Sequence, residues 1–520
     1  MTDTREHYPF RGMMPGNAPS SMDLYSCTII IIIMVQQIID RAFELRSLRE
    51  QRAKNEAGLA IVYGRRRVGK TFLLSRFLEE APGIYFLAGR RDLSGNLREF
   101  QRLSGEYLGD ELFGKIEFGS WSEMFGELCR RLLGKKAVIV IDELPYMAGQ
   151  GVMEDLQKAW DLHLSKSKIL LALSGSSIGM MERLTMDYGA PLYGRRTMQL
   201  RVERMPAWHA REFFPGWSLK ESIEAFSVLD GIPFYLQQFD DGLTLLENLE
   251  KNYLRKDRVL YEEAEVLLRS EVREFGSYFS VLRAISDGHR GFGDIAVATG
   301  RDKPSLSKYL SNLLELRVVC EDQPFGADRQ RLRRYRLADN YYTFWFRFVL
   351  PNRHLVESEH TGPLLDIIKR DMPMHVSRVF EQVVRETVVH FLGYPACQAW
   401  WNRVGDEIDV VAADGARKTV LLGEVKWGDA GYKDYQALKE KGRLPGLPAG
   451  HDVKYILVCG GKIKDRPELK REGVLAMDLR TLNGFIRWGR EKRRKGAGNG
   501  ISADEVQDNG AGRPVAGDRA

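Results

Sequence analysis

The chain has little cysteine. Its five cysteines, Cys27, Cys129, Cys320, Cys397 and Cys459, are scattered, and none forms a C-x-x-C pair. That excludes a disulfide framework and a cysteine zinc site, and it fits a reducing, cytoplasmic compartment. The nine histidines include no H-E-x-x-H, a common zinc-hydrolase pattern. No apolar run approaches the ~20 residues of a membrane span, so no membrane partner is expected. The longest such run, Cys27 to Val35, continues into Gln36 and Gln37 where a signal peptide would place small residues. Residues 1–35 therefore read as an extension outside the folded part, with Met34 as an alternative translation start. One-sided charge is missing too. Lys+Arg 77 against Asp+Glu 71 leaves +6, too small a surplus to imply nucleic acid by itself, so local clusters matter.

What is present is a soluble globular composition, 44 % apolar and 28 % charged over 520 residues, enough for about three domains of ~150 residues. Leu59-Ala60-Ile61-Val62-Tyr63 reads as a buried parallel strand. Gly64-Arg65-Arg66-Arg67-Val68-Gly69-Lys70-Thr71 then matches G-x-x-x-x-G-K-[ST] in full, and the stretch from Phe72 to Leu78 has helical spacing. Strand, loop and helix are the context in which this pattern cradles a polyphosphate. Gly64 and Gly69 let the backbone approach, and amide groups with the helix N-terminus attract the negative charge. Lys70 is expected to reach the β- and γ-phosphates of ATP, and Thr71 to hold Mg²⁺. Gly64 to Phe72 is the expected cofactor-binding run.

A second apolar strand, Ala137 to Ile141, ends in Asp142-Glu143. Asp142 is expected in the Mg²⁺ shell and Glu143 as the base that activates water. A third, Ile169 to Leu173, ends in Ser174-Gly175-Ser176-Ser177. Ser174 is the candidate γ-phosphate sensor; a plain serine-rich turn reads equally well. Arg195 or Arg196 is a candidate for neutralising transition-state charge, in cis or across the interface of a homo-oligomer, against the alternative of a surface arginine pair.

Together with Ile39-Asp40-Arg41, Glu44-Leu45 and Tyr193-Gly194-Arg195-Arg196, these segments resemble the archaeal-type ATPase family, part of the AAA-related STAND group of P-loop NTPases. The triple arginine in the loop is the most specific mark. Gly231-Ile232-Pro233 resembles the G-x-P motif that ends the group's helical lid near the nucleotide. The resemblance implies an ATPase domain over 36–205, a lid over 206–270 and a winged helix over 271–350. A nuclease-like domain over 351–488 and a disordered tail over 489–520 complete the expected order. The tail opens on a basic cluster from Arg490 to Lys495 that reads as solvated, or as a contact for nucleic acid.

The middle of the chain supplies the helix-turn-helix signals. Phe279 to Ile285, Phe292 to Thr299 with Gly300, and Lys303 to Leu314 read as three helices. Val318 to Glu321 and Arg334 to Leu337 read as the strands of a wing. Ser305, Ser307, Lys308 and Asn312 oppose the leucine face and are placed to enter a major groove of DNA, with Arg329, Arg331, Arg333, Arg334 and Arg336 on the wing for phosphates. The alternative is a winged helix that only packs on the ATPase. The aromatic run Tyr341 to Phe348 reads as inter-domain core, or as a stacking platform.

Near the C-terminus, Asp406 to Ala412, the turn signal Asp414-Gly415, and Thr419 to Trp427 read as a hairpin. Folded about residues 416 and 417, it sets Asp409 opposite Glu424, with Glu424 and Lys426 on one face. A helix beginning near Phe380 is placed to deliver Glu381 to the same cluster. This Asp…Glu-x-Lys pattern resembles the PD-(D/E)xK restriction-endonuclease-like superfamily. The resemblance implies Mg²⁺ on Asp409 and Glu424, Lys426 orienting water, Glu381 completing the metal site, and Gln436 as an auxiliary polar residue. The alternative is a site that binds without cutting. The expected fold is therefore α/β: a P-loop NTPase parallel sheet, a helical lid, a winged helix-turn-helix and a restriction-endonuclease-like α/β domain.

Overall fold

The computed structural model describes residues 39–494 apart from 91, 150, 327–331 and 443–449. The extension before residue 36, Cys27, Arg329 and Arg331 lie outside the described residues. Near the N-terminus five strands form a parallel sheet in the order β2-β3-β4-β1-β5. They are β1 (Gly58–Tyr63), β2 (Gly83–Leu87), β3 (Ala137–Asp142), β4 (Ile169–Gly175) and β5 (Met198–Arg201). The unbroken apolar runs are explained by position: β1, β3 and β4 are buried at every residue, between two apolar layers, one on each face of the sheet. Because the strands are parallel and in register, Tyr63 pairs with Gly175 and Ile141 with Leu173. The residues that follow β1, β3 and β4 therefore emerge at one edge, where open α/β sheets bind ligands. Helix α1 (Lys70–Glu80) starts there, directly after Gly69.

The next segment is helical: α2 (Val259–Glu271), α3 (Phe275–Ser286), α4 (Phe292–Thr299) and α5 (Lys303–Glu315). Gly300 ends α4 in the left-handed conformation, φ 63°, and the Asp302 side chain caps α5 by accepting from Ser305 N–H. An antiparallel pair follows, β6 (Val319–Asp322) with β7 (Arg334–Leu337). Then comes the long helix α6 (Gly362–Thr387), which lies against a second sheet of order β12-β11-β10-β9-β8. Its strands are β8 (Gln398–Trp401), β9 (Glu407–Asp414), β10 (Thr419–Lys426), β11 (Asp452–Cys459) and β12 (Leu475–Met477). Helix α7 (Tyr432–Lys441) connects β10 to β11, which run parallel, and α8 (Leu479–Arg494) closes the described chain. β9 and β10 are antiparallel with Thr419 opposite Asp414 and Gly423 opposite Val410, a fold about residues 416 and 417.

One apolar core runs from Ala207 to Ile486 through the helical segment, the antiparallel pair and the second sheet, so no break in packing marks the expected boundaries near 270 and 350. Tyr341, Tyr342, Phe344, Trp345, Phe346 and Phe348 lie fully inside this core; the aromatic run is a packing element and offers no stacking platform. The start of the expected tail is also ordered. α8 runs to Arg494, and Arg490 donates to the Trp208 carbonyl and pairs with Glu212, while Arg493 bonds the His390 carbonyl.

Candidate functional site

The loop after β1 needs unusual backbone at two glycines. Gly69 has φ 92°, and a Cβ on Gly64 would stand 2.2 Å from the Val202 carbonyl oxygen. Between them the loop turns tightly enough for Lys70, itself buried, to fold back. Its Nζ donates to the Gly64 carbonyl at 2.8 Å, the Arg65 carbonyl at 3.0 Å and Ser176 Oγ at 3.0 Å. Burial pushes the Lys70 ammonium down to about 8, against the pull of Glu143 and Asp142. Pro233 of the Gly-Ile-Pro segment lies across Gly69, its Cγ 3.9 Å from where a Cβ would be.

Two linked groups of side chains meet at the edge of the sheet. Thr71 Oγ1 donates to Asp142 Oδ2 at 2.8 Å, and Tyr85 OH donates to the same oxygen at 2.7 Å. Ser176 Oγ accepts from Lys70 and donates to Glu143 Oε1. A hydroxyl beside a buried carboxylate is the donor set that holds Mg²⁺ on a polyphosphate, so Thr71 and Asp142 fit that ion. Glu143 has φ 54°, a left-handed backbone that turns its carboxylate toward Ser176. Ser174, the expected sensor, is elsewhere: its Oγ is fully buried without a hydrogen-bond partner. The serine two positions on makes the contacts. Strand alternation does not separate the two, since positions 174 and 176 share a face; the end of β4 at Gly175 does.

Each of the three loop arginines is paired with a carboxylate from outside the loop. Arg65 pairs with Asp339 and lies over the Tyr342 ring at 5.0 Å. Arg66 pairs with Glu271 at 3.3 Å and donates to Tyr146 OH at 3.3 Å. Arg67 pairs with Glu263 at 3.0 Å and lies over the Phe234 ring at 3.9 Å. Arg66 and Glu271 stay within electrostatic reach of Lys70. Burial pushes the Glu263 and Glu271 carboxyls up, against these arginines. Nothing in the sequence ties Asp339, Glu263 or Glu271 to the loop, since each is almost two hundred residues away or more.

Arg195 and Arg196 stand at the opposite end of the sheet. Thr197 N–H bonds the Leu59 carbonyl, and β5 then runs parallel to β1. Most of β1, about 16 Å at 3.3 Å per residue, separates them from the loop. Arg195 pairs with Asp161 at 2.7 Å. Action in cis is therefore corrected; a role for either arginine requires a second chain.

In the second sheet the expected carboxylates do meet. Asp409 continues the β9–β10 register opposite Glu424, and its Oδ2 accepts from Val425 N–H at 2.8 Å. Glu424 pairs with Lys426 at 3.3 Å. Glu381, on α6, is pushed up to about 7 by burial and the charge of Asp409, and Asp409 to about 6 by burial and Glu424. Two residues of α7 were missed: Asp434 pairs with Lys426 at 3.3 Å and Lys441 reaches Glu424 at 3.8 Å. Gln436, on the same helix, is exposed. Among the described residues no three His, Cys, Asp or Glu side chains are arranged to hold a metal ion. The expectation that Glu381 completes a metal site with Asp409 and Glu424 does not fit this arrangement. Glu424, Lys426, Asp434 and Lys441 pair with one another and Glu381 with Arg385, whereas Asp409 forms no ion pair among the described residues.

The residues expected on DNA are partly engaged. Ser307 and Lys308 of α5 are exposed, whereas Asn312 donates to Tyr278 OH at 2.6 Å. Of the wing arginines, Arg333 pairs with Glu321, Arg334 with Glu407 and Arg336 with Asp322. No helix among the described residues is long and apolar enough to cross a membrane.

A five-stranded parallel sheet with this loop at its edge defines an α/β fold of the P-loop NTPase kind. A family model described as an ATPase domain predominantly from Archaea matches residues 38–239, and one described as archaeal and bacterial proteins of unknown function matches residues 345–438. The uncharacterized protein MJECL04 of Methanocaldococcus jannaschii is 32 % identical over 444 residues, covering 82 % of this chain and 96 % of that protein. The chain belongs to this archaeal-type ATPase family. Among solved structures it is similar to a Walker-type ATPase of Pyrococcus abyssi, 25 % identical with a TM-score of 0.45, covering 60 % of this chain and 96 % of that one. It is also similar to the ORC2 protein of Aeropyrum pernix, 13 % identical with a TM-score of 0.41, covering 64 % and 98 %.

Proposed function

We propose that the chain binds and hydrolyses ATP with Mg²⁺, as an AAA-related STAND-type ATPase, and couples nucleotide state to a C-terminal domain that contacts nucleic acid. The observation that carries the reading is the pair of linked contacts Lys70–Ser176–Glu143 and Thr71–Asp142. In this reading the Lys70 ammonium exchanges its bonds to loop carbonyls for the β- and γ-phosphates. Thr71 and Asp142 would hold Mg²⁺, which would supply positive charge to the phosphates. Glu143, oriented by Ser176, accepts a proton from water as the water oxygen bonds the γ-phosphorus. The bond from that phosphorus to the β–γ bridging oxygen breaks, and ADP leaves.

α3, α4, α5 and the β6–β7 pair have the order of a winged helix, and the second sheet supports the reading of a nuclease-like domain. Nucleic acid, DNA first, is the partner this suggests. One observation favours binding over cutting: Lys426 and Glu424 are already paired with Asp434 and Lys441. The test is phosphate release from ATP, with Mg²⁺ and with EDTA, by the wild type and Lys70→Ala, alongside Mg²⁺-dependent cleavage of labelled linear, branched and single-stranded DNA. Hydrolysis lost in Lys70→Ala and in EDTA supports the ATPase reading; hydrolysis indifferent to both overturns it. Cleavage that disappears in Glu424→Ala/Lys426→Ala would restore the nuclease reading in place of binding alone.

A further inference from the structure

A cavity of about 830 Å3 lies between the phosphate loop, the β6–β7 pair and α6. Its lining is unusual in arginine. Most of these arginines are balanced: Arg204 pairs with Asp230 and Glu386, Arg334 with Glu407, and Arg385 with Glu381. Arg290, after α3, and Arg378, on α6, form no ion pair among the described residues. Glu407 and Glu381 pull on Arg290, and Glu381 on Arg378, but Glu407 is paired with Arg334 and Glu381 with Arg385. Burial lowers both guanidinium groups against that pull, Arg290 further through the charges of Arg378 and Arg334, and Arg378 through that of Arg347. Arg290 is half-buried and Arg378 exposed, so both can offer the cavity donors and positive charge that no ion pair occupies, which suits an anion.

The position and size of the cavity narrow the anion. Glu381, which interacts with Asp409, is on its wall, so the unpaired arginines border the second-sheet cluster. The volume is that of pockets enclosing a small ligand, room for about one or two nucleotides and none for a duplex. Arg guanidinium groups are suited to phosphate oxygens.

We propose that this cleft binds the phosphodiester backbone at an end of a single-stranded nucleic acid, with Arg290 and Arg378 supplying the counter-charge beside the Glu381–Asp409–Glu424 cluster. The inference deepens the nucleic-acid reading of the C-terminal domain and rests on it. The full chain is titrated, in EDTA and without ATP, against a fluorescein-labelled oligothymidylate of about 12 nucleotides and a blunt duplex of the same length, by anisotropy. Salt is varied from ~50 to ~200 mM. The single strand is expected to bind more tightly than the duplex. Arg290→Ala/Arg378→Ala is expected to lose about tenfold or more in affinity and to flatten the salt dependence by about two phosphate contacts. Arg290→Lys/Arg378→Lys keeps the charge and is expected to restore most of the binding, which separates loss of charge from loss of fold.

Alanine and lysine double variants that both bind as the wild type does would overturn the cleft while leaving the nucleic-acid reading in place. A preference for the duplex would overturn it as well. No binding of any nucleic acid by the wild type would overturn both readings.

Discussion

Arg65 and Asp339, 274 residues apart in sequence, form a single ion pair between the phosphate loop and the N-cap of the short buried helix Asn340–Phe344. Asp339 also caps that helix by accepting from Tyr342 N–H at 2.6 Å. Next to it, Asn340 N–H bonds Asp230, and Asp230 pairs with Arg204, which reaches Glu386 on α6. Polar contacts thus run without interruption from the loop to the helix that carries Glu381. Removing one partner of a buried pair leaves the other charge uncompensated.

Asp339→Ala is therefore expected to lower stability by ~3–5 kcal/mol, read as a fall in the denaturation midpoint. Arg65→Met/Asp339→Leu removes both charges and is expected to cost much less. Equal losses in the two variants would argue against the pair as the cause.

Ser176→Ala and Ser174→Ala separate the two serines. Ser176 joins Lys70 to Glu143, so its loss is expected to reduce ATP turnover by about tenfold or more. Ser174 has a buried hydroxyl with no partner; its loss is expected to leave turnover close to wild type and stability equal or slightly higher. Steady-state phosphate release and thermal unfolding decide it.

Glu143→Gln keeps the shape of the side chain and its bond to Ser176 but cannot accept a proton. Turnover is expected to fall by ~10²–10⁴, with binding of a fluorescent ATP analogue retained. Loss of binding would make Glu143 a structural residue.

The nucleotide loop, the acidic strand end and the Asp409–Glu424 register were legible in the sequence because each is local. A motif of fixed spacing, a strand terminus and a hairpin fold are all set within about 30 residues. The partners of the loop arginines were not legible. Glu263, Glu271 and Asp339 lie on elements whose own patterns speak only of helices, and tertiary packing brings them to the loop. The sequence does not separate Ser174 from Ser176, because the end of a strand is uncertain there by one or two residues. The positions of Arg195 and Arg196 depended on β5 pairing with β1, which no local pattern states.

The second-sheet cluster gives a pH signature. Glu381 is pushed up to about 7 and Asp409 to about 6, so between about pH 4 and 7 the folded state holds protons that the unfolded state has released. Stability from these groups falls as pH rises through that window and is level above it. Glu381→Gln is expected to raise the melting temperature over wild type at pH 8, with the difference vanishing near pH 4. A difference that grows toward low pH would reverse the assignment.

α6 runs for 26 residues, about 39 Å. It is anchored along its length: Leu364, Ile368, Val376, Phe380, Val383 and Val384 are buried, and His375, at its middle, bonds the Ser227 carbonyl at 2.7 Å. Beyond that it carries Glu381, Arg385 and Glu386. Pro373 removes one backbone bond two residues before His375. Mechanically the helix is a rod with one softened joint, and everything from His375 to Glu386 lies on one side of it. Glu381 and Glu386, five residues apart on that stiff part, move as one body, so Arg204, by holding Glu386, would set the place of a carboxylate it never touches.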